Sequence, residues 1–380
     1  MTPSMTNSVT KSTTFRAGHS ADLDLVARVA DAIAVPKAAP ADSFVLHAPL
    51  ELMARVGLLP YVAPGRRDEA LGMIEWLGDQ YRAAGDPVEP PLVVELGDPA
   101  ISADALATAI TDGDLDMVDA IAATLLPKVS AHEAVGLLGE RVITSLAAAG
   151  HAPIGMALLT QVVPRLPVSL LRGALRGIAS HPQWRIHWHE AVQPHGDPSG
   201  LYAALRSAPQ LGRPGSDFIF PLMSQVQDSG LAATLLTPVL AERFDVTQAF
   251  HTLSRVATWS MVHDDPGQAP YGWSHALTMP QGVMSLAGGG VRPRTALAVA
   301  ATFLVGFRAA HGTVEMPDVL EPEPRSGVSV EELATAAALH EDAHLVKYTL
   351  ACLHAMAEDP SFRTLHHAAA VRLVDHWAAW

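Results

Sequence analysis

The stretch Val330 to Met356, VEELATAAALHEDAHLVKYTLACLHAM, contains no Pro or Gly and is dense in Ala, Leu and Glu. Ala loses no side-chain freedom in a helix, and Leu and Glu lose little, so such a run favours a helix. Ser329 followed by Glu332 fits a capping box at its start, and Asp359-Pro360 fits a stop just past its end. One continuous helix is the expectation. On it, residues three and four apart share a face, so His340, His344 and Lys347 form a single stripe that continues through Ala337, Ala351 and His354. Glu341 and Asp342 fall elsewhere, and Leu345, Val346, Leu350 and Leu353 flank the stripe with apolar surface. Two readings are open. Either the His and Lys tips reach solvent, or they are buried, where basic groups resist charging and the stripe becomes useful as a metal site.

Working outward, helical periodicity dominates. Leu23 to Ala34 and Asp68 to Ala84 carry apolar residues at helical spacing, joined by Pro/Gly-rich connections such as APGRRD and GDPVEPP. From Ser102 to Ser180 short amphipathic helices follow one another like helical hairpins, without a fixed repeat period. Residues 181–217, rich in Trp, His, Pro and Gly, read as an irregular connection. Helices are expected again over Leu231 to Arg243, Thr247 to Met261, a short piece ending at the glycines 288–290, and Pro293 to Ala310. The best strand candidate is VVEL near 93. The expectation is an all-α chain: a disordered Ser/Thr-rich tail over 1–20, then one large helical domain over 21–380 built from helical hairpins around a buried histidine-rich metal site.

Composition narrows the function. Apolar residues make up 49% against 17% charged, far from the signature of disorder. A formal net charge of −14 without a basic stripe disfavours nucleic acid. The tail has no apolar core of a signal peptide, and no charge-free apolar run reaches membrane-spanning length. A soluble, cytoplasmic protein is expected. A lone Cys352 excludes an intramolecular disulfide framework and a cysteine-based zinc cluster. Against 25 Lys plus Arg there are 18 His, a large stock of metal-capable side chains.

Among these, His275 in YGWSHALTMPQG is either packed beside Trp273 or a ligand from a separate element. His151, after LAAAG, and His47, in FVLHAPLELM, sit in apolar text, and each is either a neutral histidine held by a carbonyl or a metal ligand. His187, His189 and His195 form the densest local cluster and read as an exposed aromatic loop or lid. His366, His367 and His376 read as surface. No dinucleotide fingerprint, Walker A motif or GxSxG is present.

Three pieces together, SHALTMPQG, EDAHLVKYTLACLHA and the apolar helical text around His151, resemble the questin oxidase-like family, diffusely over the chain after residue 20 and specifically around 271–284 and 340–354. The resemblance implies a helical oxygenase that opens the ring of quinonoid or phenolic polycyclic aromatic (polyketide) substrates. Members are described both as non-haem Fe(II) dioxygenases, whose iron is held by four histidines and a carboxylated lysine, and as NADPH-dependent Baeyer–Villiger-type monooxygenases. Carried over, it implies His344 and Lys347 as metal ligands from the DxHxxK block with Asp342 as its acid, and His275 from the SHALT block. His151 and His47 would complete the set. The text after His151, APIGMALL, departs from the family pattern, which has a second His and a Gly-Tyr there. A carbamate formed from carbon dioxide on Lys347 would supply the anionic oxygen an all-histidine site lacks. His340 would contact oxygen or substrate or orient a ligand, as a catalytic residue. Tyr271, Trp273 and the 184–188 loop would stack on a flat substrate. Expected partners are a small aromatic substrate and dioxygen, with a homodimer allowed. A helical-repeat binding scaffold with structural histidines is the reading from another class.

Overall fold

In a computed structural model, residues 20–38, 42–89, 91–161, 166–193, 195–211 and 219–378 are described. The tail therefore lies outside the described residues up to Thr14, Phe15 and on to His19, and α1 begins at Ser20. The described chain is 74% helical, with 17 α-helices and no strand. They are α1 (Ser20–Ile33), α2 (Ser43–Leu58), α3 (Arg67–Ala83), α4 (Pro99–Asp112), α5 (Leu115–Leu125), α6 (Ala131–Thr144), α7 (Ala152–Gln161), α8 (Arg172–Ser180) and α9 (Leu201–Arg206). The second half adds α10 (Ile219–Asp228), α11 (Leu231–Leu236), α12 (Val246–His263), α13 (Ser274–Ser285), α14 (Pro293–His311), α15 (Val330–Ala338), α16 (Ala343–Glu358) and α17 (Arg363–Ala378).

At the centre lies α13, nearly all of it buried, packed against α7, α12, α14 and α16. Helix α16 in turn packs against α2 and α17, and α2 against α7. The helices α2, α7, α13 and α16 thus close a ring, the arrangement in which bundles build metal and cofactor sites from facing helices. The approach of α7 to α13 is set by Gly282, where a Cβ would lie only 3.1 Å from the Cα of Ile154. Any larger residue there would push the two helices apart.

Several expectations are corrected. The VVEL segment, 93–96, forms no strand and carries no regular structure, with Val93 96% exposed. Helix α11 stops at Leu236, ahead of Pro238, well short of Arg243. The connection from His181 carries a short helix, α9. The largest correction concerns the opening stretch. The capping box at Ser329 and the stop at Asp359 are present, but the helix is broken between Ala338 and Ala343. Asp342 is extended and caps α16, accepting from the His344 amide at 2.7 Å. Its own amide donates to His340 Nδ1 at 2.9 Å. On the other side, Arg55 of α2 donates to the carbonyls of Ala338 at 2.7 Å and His340 at 2.6 Å. These bonds satisfy the backbone groups that the break exposes, so the interruption is held from both sides.

Candidate metal centre

Each helix of the ring delivers one imidazole to the same place. His47 is the fifth residue of α2, His151 immediately precedes α7, and His275 and His344 are the second residues of α13 and α16. Ring centroids are 4.4 Å apart for His47 and His151, 4.5 Å for His47 and His344, 5.1 Å for His151 and His275, and 5.0 Å for His275 and His344. Lys347, one turn along α16, acts electrostatically on all four rings. All five side chains are buried, between 4% and 7% exposed. The structure thus brings together the five residues expected as ligands.

The orientation of the rings follows from their other nitrogen. His47 Nδ1 lies 2.5 Å from the Ser43 carbonyl, His151 Nδ1 3.0 Å from that of Ala148, and His275 Nδ1 2.5 Å from that of Tyr271. His344 Nδ1 lies 3.1 Å from the Asp342 carboxylate. A carbonyl can only accept, so Nδ1 of the first three carries the proton. Their Nε2 atoms are then left with bare lone pairs, turned inward. This is the outer support by which metal-binding histidines are fixed in tautomer and direction.

Two of those lone pairs meet. His151 Nε2 and His275 Nε2 stand 3.1 Å apart, repelling each other unless a proton or a cation lies between them. Protonation is disfavoured. Burial, first, and the neighbouring cationic groups hold both imidazoles well below their ordinary pKa. His47 and His344 are shifted downward too, burial leading in each case. A metal ion between them would resolve the conflict. At a metal–nitrogen distance of about 2.1 Å, adjacent ligand nitrogens sit roughly 3.0–3.4 Å apart. His47, His275 and His344 each offer a nitrogen within 4.8 Å of the others, a group that could hold a metal ion. His47 Nε2 and Lys347 Nζ are buried with no hydrogen-bond partner, as ligand atoms would be before a metal binds. Burial pushes the Lys347 amine down to about 7, against the opposing pull of Asp342 and Glu51.

The backbone ahead of His151 is unusual. Ala148, Ala149 and Gly150 have φ of 50°, 53° and 69°, three left-handed residues in succession. For alanine each such residue costs roughly 1–2 kcal/mol. The turn brings the Ala148 carbonyl back onto His151 Nδ1, and so fixes the ring. Residues 269–273, ahead of α13, form a single π-turn, which carries the Tyr271 carbonyl that holds His275.

Other expected residues lie elsewhere. His340 is not on the stripe, because the helix break turns it toward Trp377, with ring centroids 5.3 Å apart. Asp342 is what orients His344. Tyr271 is 60% exposed and meets His344 edge-on at 5.0 Å, so it lies at the rim. Trp273 is fully buried beside Arg308 and His311, on the far side of the π-turn, and offers no face to a substrate. Trp184 is already stacked between His181 and Phe220, and Trp188 donates to Thr302. His366, expected at the surface, is fully buried between Thr258 and Asp359. Sequence reasoning missed Glu51 and Arg55, a buried ion pair at 2.5 Å on α2, one turn beyond His47. Its signal was a charged pair four residues apart inside otherwise apolar text.

No helix among the described residues is long and apolar enough to cross a membrane. No family model matches the chain, and no curated protein matches it.

Proposed function

We propose that this chain is a non-haem iron-dependent oxygenase acting on a quinonoid or phenolic aromatic substrate. The reading rests on the convergent, bare Nε2 atoms of the buried histidines, above all the facing pair of His151 and His275. The likeness of SHALTMPQG and EDAHLVKYTLACLHA to questin oxidase-like text supports it. His47, His275 and His344 would hold the ion, with His151 beside them. Imidazole suits iron, and iron would supply the redox chemistry by which dioxygen reacts with an organic ring.

The chain's own part is binding and positioning. Neutral imidazoles are maintained by burial, and the carbonyls of Ser43, Ala148 and Tyr271 and the Asp342 carboxylate keep them in place. Lys347 is placed to become the anionic member of the set. Its neutral amine would form an N–C bond to carbon dioxide and release one proton, leaving a carbamate with a single negative charge. Depression of its pKa to about 7 keeps a large fraction of the amine in the reactive neutral form near neutrality. In the dioxygenase reaction both atoms of dioxygen end in the product as the ring carbon–carbon bond breaks. That balances without NADPH, whereas the monooxygenase alternative requires it.

Protein purified without chelator should carry close to one iron per chain and consume dioxygen with hydroxylated quinones, losing both properties after chelation. Full activity in metal-free protein would overturn the reading.

A further inference from the structure

A cavity of about 250 Å³ lies between α2, α7 and α8, under residues 36–38. It runs from the partly exposed Lys37, Arg176 and Ser180 to the buried ring of His151, which alone of the clustered histidines lines it. Its walls are otherwise apolar, with Leu50 and Met53 from α2. At one place in its wall, Gly173, the sequence leaves a side chain out. A Cβ there would meet nothing within 4 Å, whereas Gly155 and Gly177, which also line the cavity, are close approaches, to Leu50 at 3.1 Å and to Ala148 at 2.8 Å. At the mouth, Lys37 Nζ is held by the carbonyls of Arg82 at 3.3 Å and Gly85 at 2.8 Å. The amine also lies over the Tyr81 ring, 4.9 Å from its centroid, and Asp86 acts on it electrostatically. Arg176 donates to the Leu115 carbonyl and stands 3.9 Å from Asp119, a carboxylate already taken by Arg172.

Building on the metal-centre reading, we propose that this cavity is the substrate chamber. Its occupant is a compact apolar molecule of one or two fused rings, carrying a carboxylate or phenolate that stays at Lys37 and Arg176 while the ring body reaches His151. Size sets the ring count. An apolar cavity of about 150 Å³ accepts benzene, so 250 Å³ corresponds to roughly ten ring atoms and falls short of three fused rings. The two mouth cations, Lys37 and Arg176, set the charge.

The test is isothermal titration of 2-naphthoate into metal-free protein, with naphthalene-free buffer as blank, repeated on Gly173→Phe, Ala174→Phe and Lys37→Met. Metal content of each variant is measured separately after loading. Wild type should bind one naphthoate per chain, both phenylalanine variants should lose at least tenfold in affinity while still loading metal, and Lys37→Met should lose two- to tenfold. Anthracene-2-carboxylate should bind more weakly than 2-naphthoate. Absence of saturable naphthoate binding, or binding indifferent to both phenylalanine variants, overturns the chamber. Naphthoate binding that obeys these rules in a protein that never takes up metal would leave the chamber standing and sink the iron reading alone.

Discussion

His151 and His275 face each other through Nε2 atoms 3.1 Å apart, while each Nδ1 is already bonded to a main-chain carbonyl. A neutral pair in that arrangement has nothing to donate. The contact is therefore a demand for a positive charge between the rings, in a place where burial opposes protonation.

The demand is read first through the ligands. His275→Ala and His344→Ala should each reduce bound metal to background while circular dichroism stays native. His187→Ala and His189→Ala should leave metal content unchanged, since His187 is exposed and His189 packs beside Trp188 away from the cluster. The reverse pattern in metal analysis would place the centre at the other histidines.

Asp342→Asn separates the two tasks of that residue. Asparagine also caps helices well, so stability should change by less than about 1 kcal/mol. The carboxylate at His344 Nδ1 is lost, however, and metal affinity should fall roughly 10- to 100-fold, the usual effect of removing such an outer partner. Equal metal affinity in wild type and variant, by competition with a chromophoric chelator, would remove Asp342 from the centre.

Lys347→Met should act in opposite directions on stability and function. A buried amine without a partner costs about 1–3 kcal/mol, so the metal-free variant should unfold at higher denaturant than wild type. Metal-dependent oxygen uptake should be lost. Lys347→Arg should fail in activity as well, because guanidinium stays protonated and cannot take up carbon dioxide. A fully active arginine variant would return Lys347 to a packing role.

Acid should weaken the metal-free protein in a defined window. The four imidazoles are held below their ordinary pKa in the fold, whereas the unfolded chain binds protons from about pH 6.5 downward. Stability is thus fully present above that pH and is lost as pH falls through it, by up to about 1.4 kcal/mol per pH unit for each imidazole. Denaturant titrations from pH 8 to 5 measure this directly. A flat profile would mean that the rings are solvated.

At Ala149, glycine should be tolerated or better. The residue is half-buried with φ of 53°. Relief of roughly 1–2 kcal/mol of strain is set against roughly 0.5–1 kcal/mol of added unfolded-state entropy. Thermal unfolding of Ala149→Gly should match or exceed wild type by up to about 1.5 kcal/mol, and a clear loss would show the turn to be unstrained.

Much of this was legible in the sequence where the signal is local. Helical text predicted α1, α3, α12 and α14 with ends within three residues, because periodicity and Pro/Gly punctuation act over a single turn. The break at His340 was not legible, since Ala, Leu and Glu propensity argued for continuity. One of its two supports is Arg55, 285 residues away in sequence from His340. Trp273 and Tyr271 illustrate a second limit. Both read as aromatic neighbours of a ligand, yet a π-turn sends one into the core and leaves the other at the rim. Side-chain direction in an irregular turn is set by φ and ψ, which composition does not encode. His366 was misread for a third reason: its partners Thr258 and Asp359 come from other parts of the chain.

Three of the histidines, His151, His275 and His344, share one more property, their place at the beginning of α7, α13 and α16, while His47 lies one turn into α2. Peptide dipoles along a helix sum to a partial positive charge of about half a proton at its N-terminus. Three such ends meet where a metal cation is expected, which on its own is the wrong sign. The backbone field therefore opposes an ion held by neutral imidazoles alone and favours one that comes with negative charge. It also lowers the cost of collecting that charge, whether as a carbamate, a deprotonated substrate oxygen or a small anion such as azide. Selectivity for anionic co-ligands would then be a property of how the helices are aimed, and would persist through exchange of one metal for another.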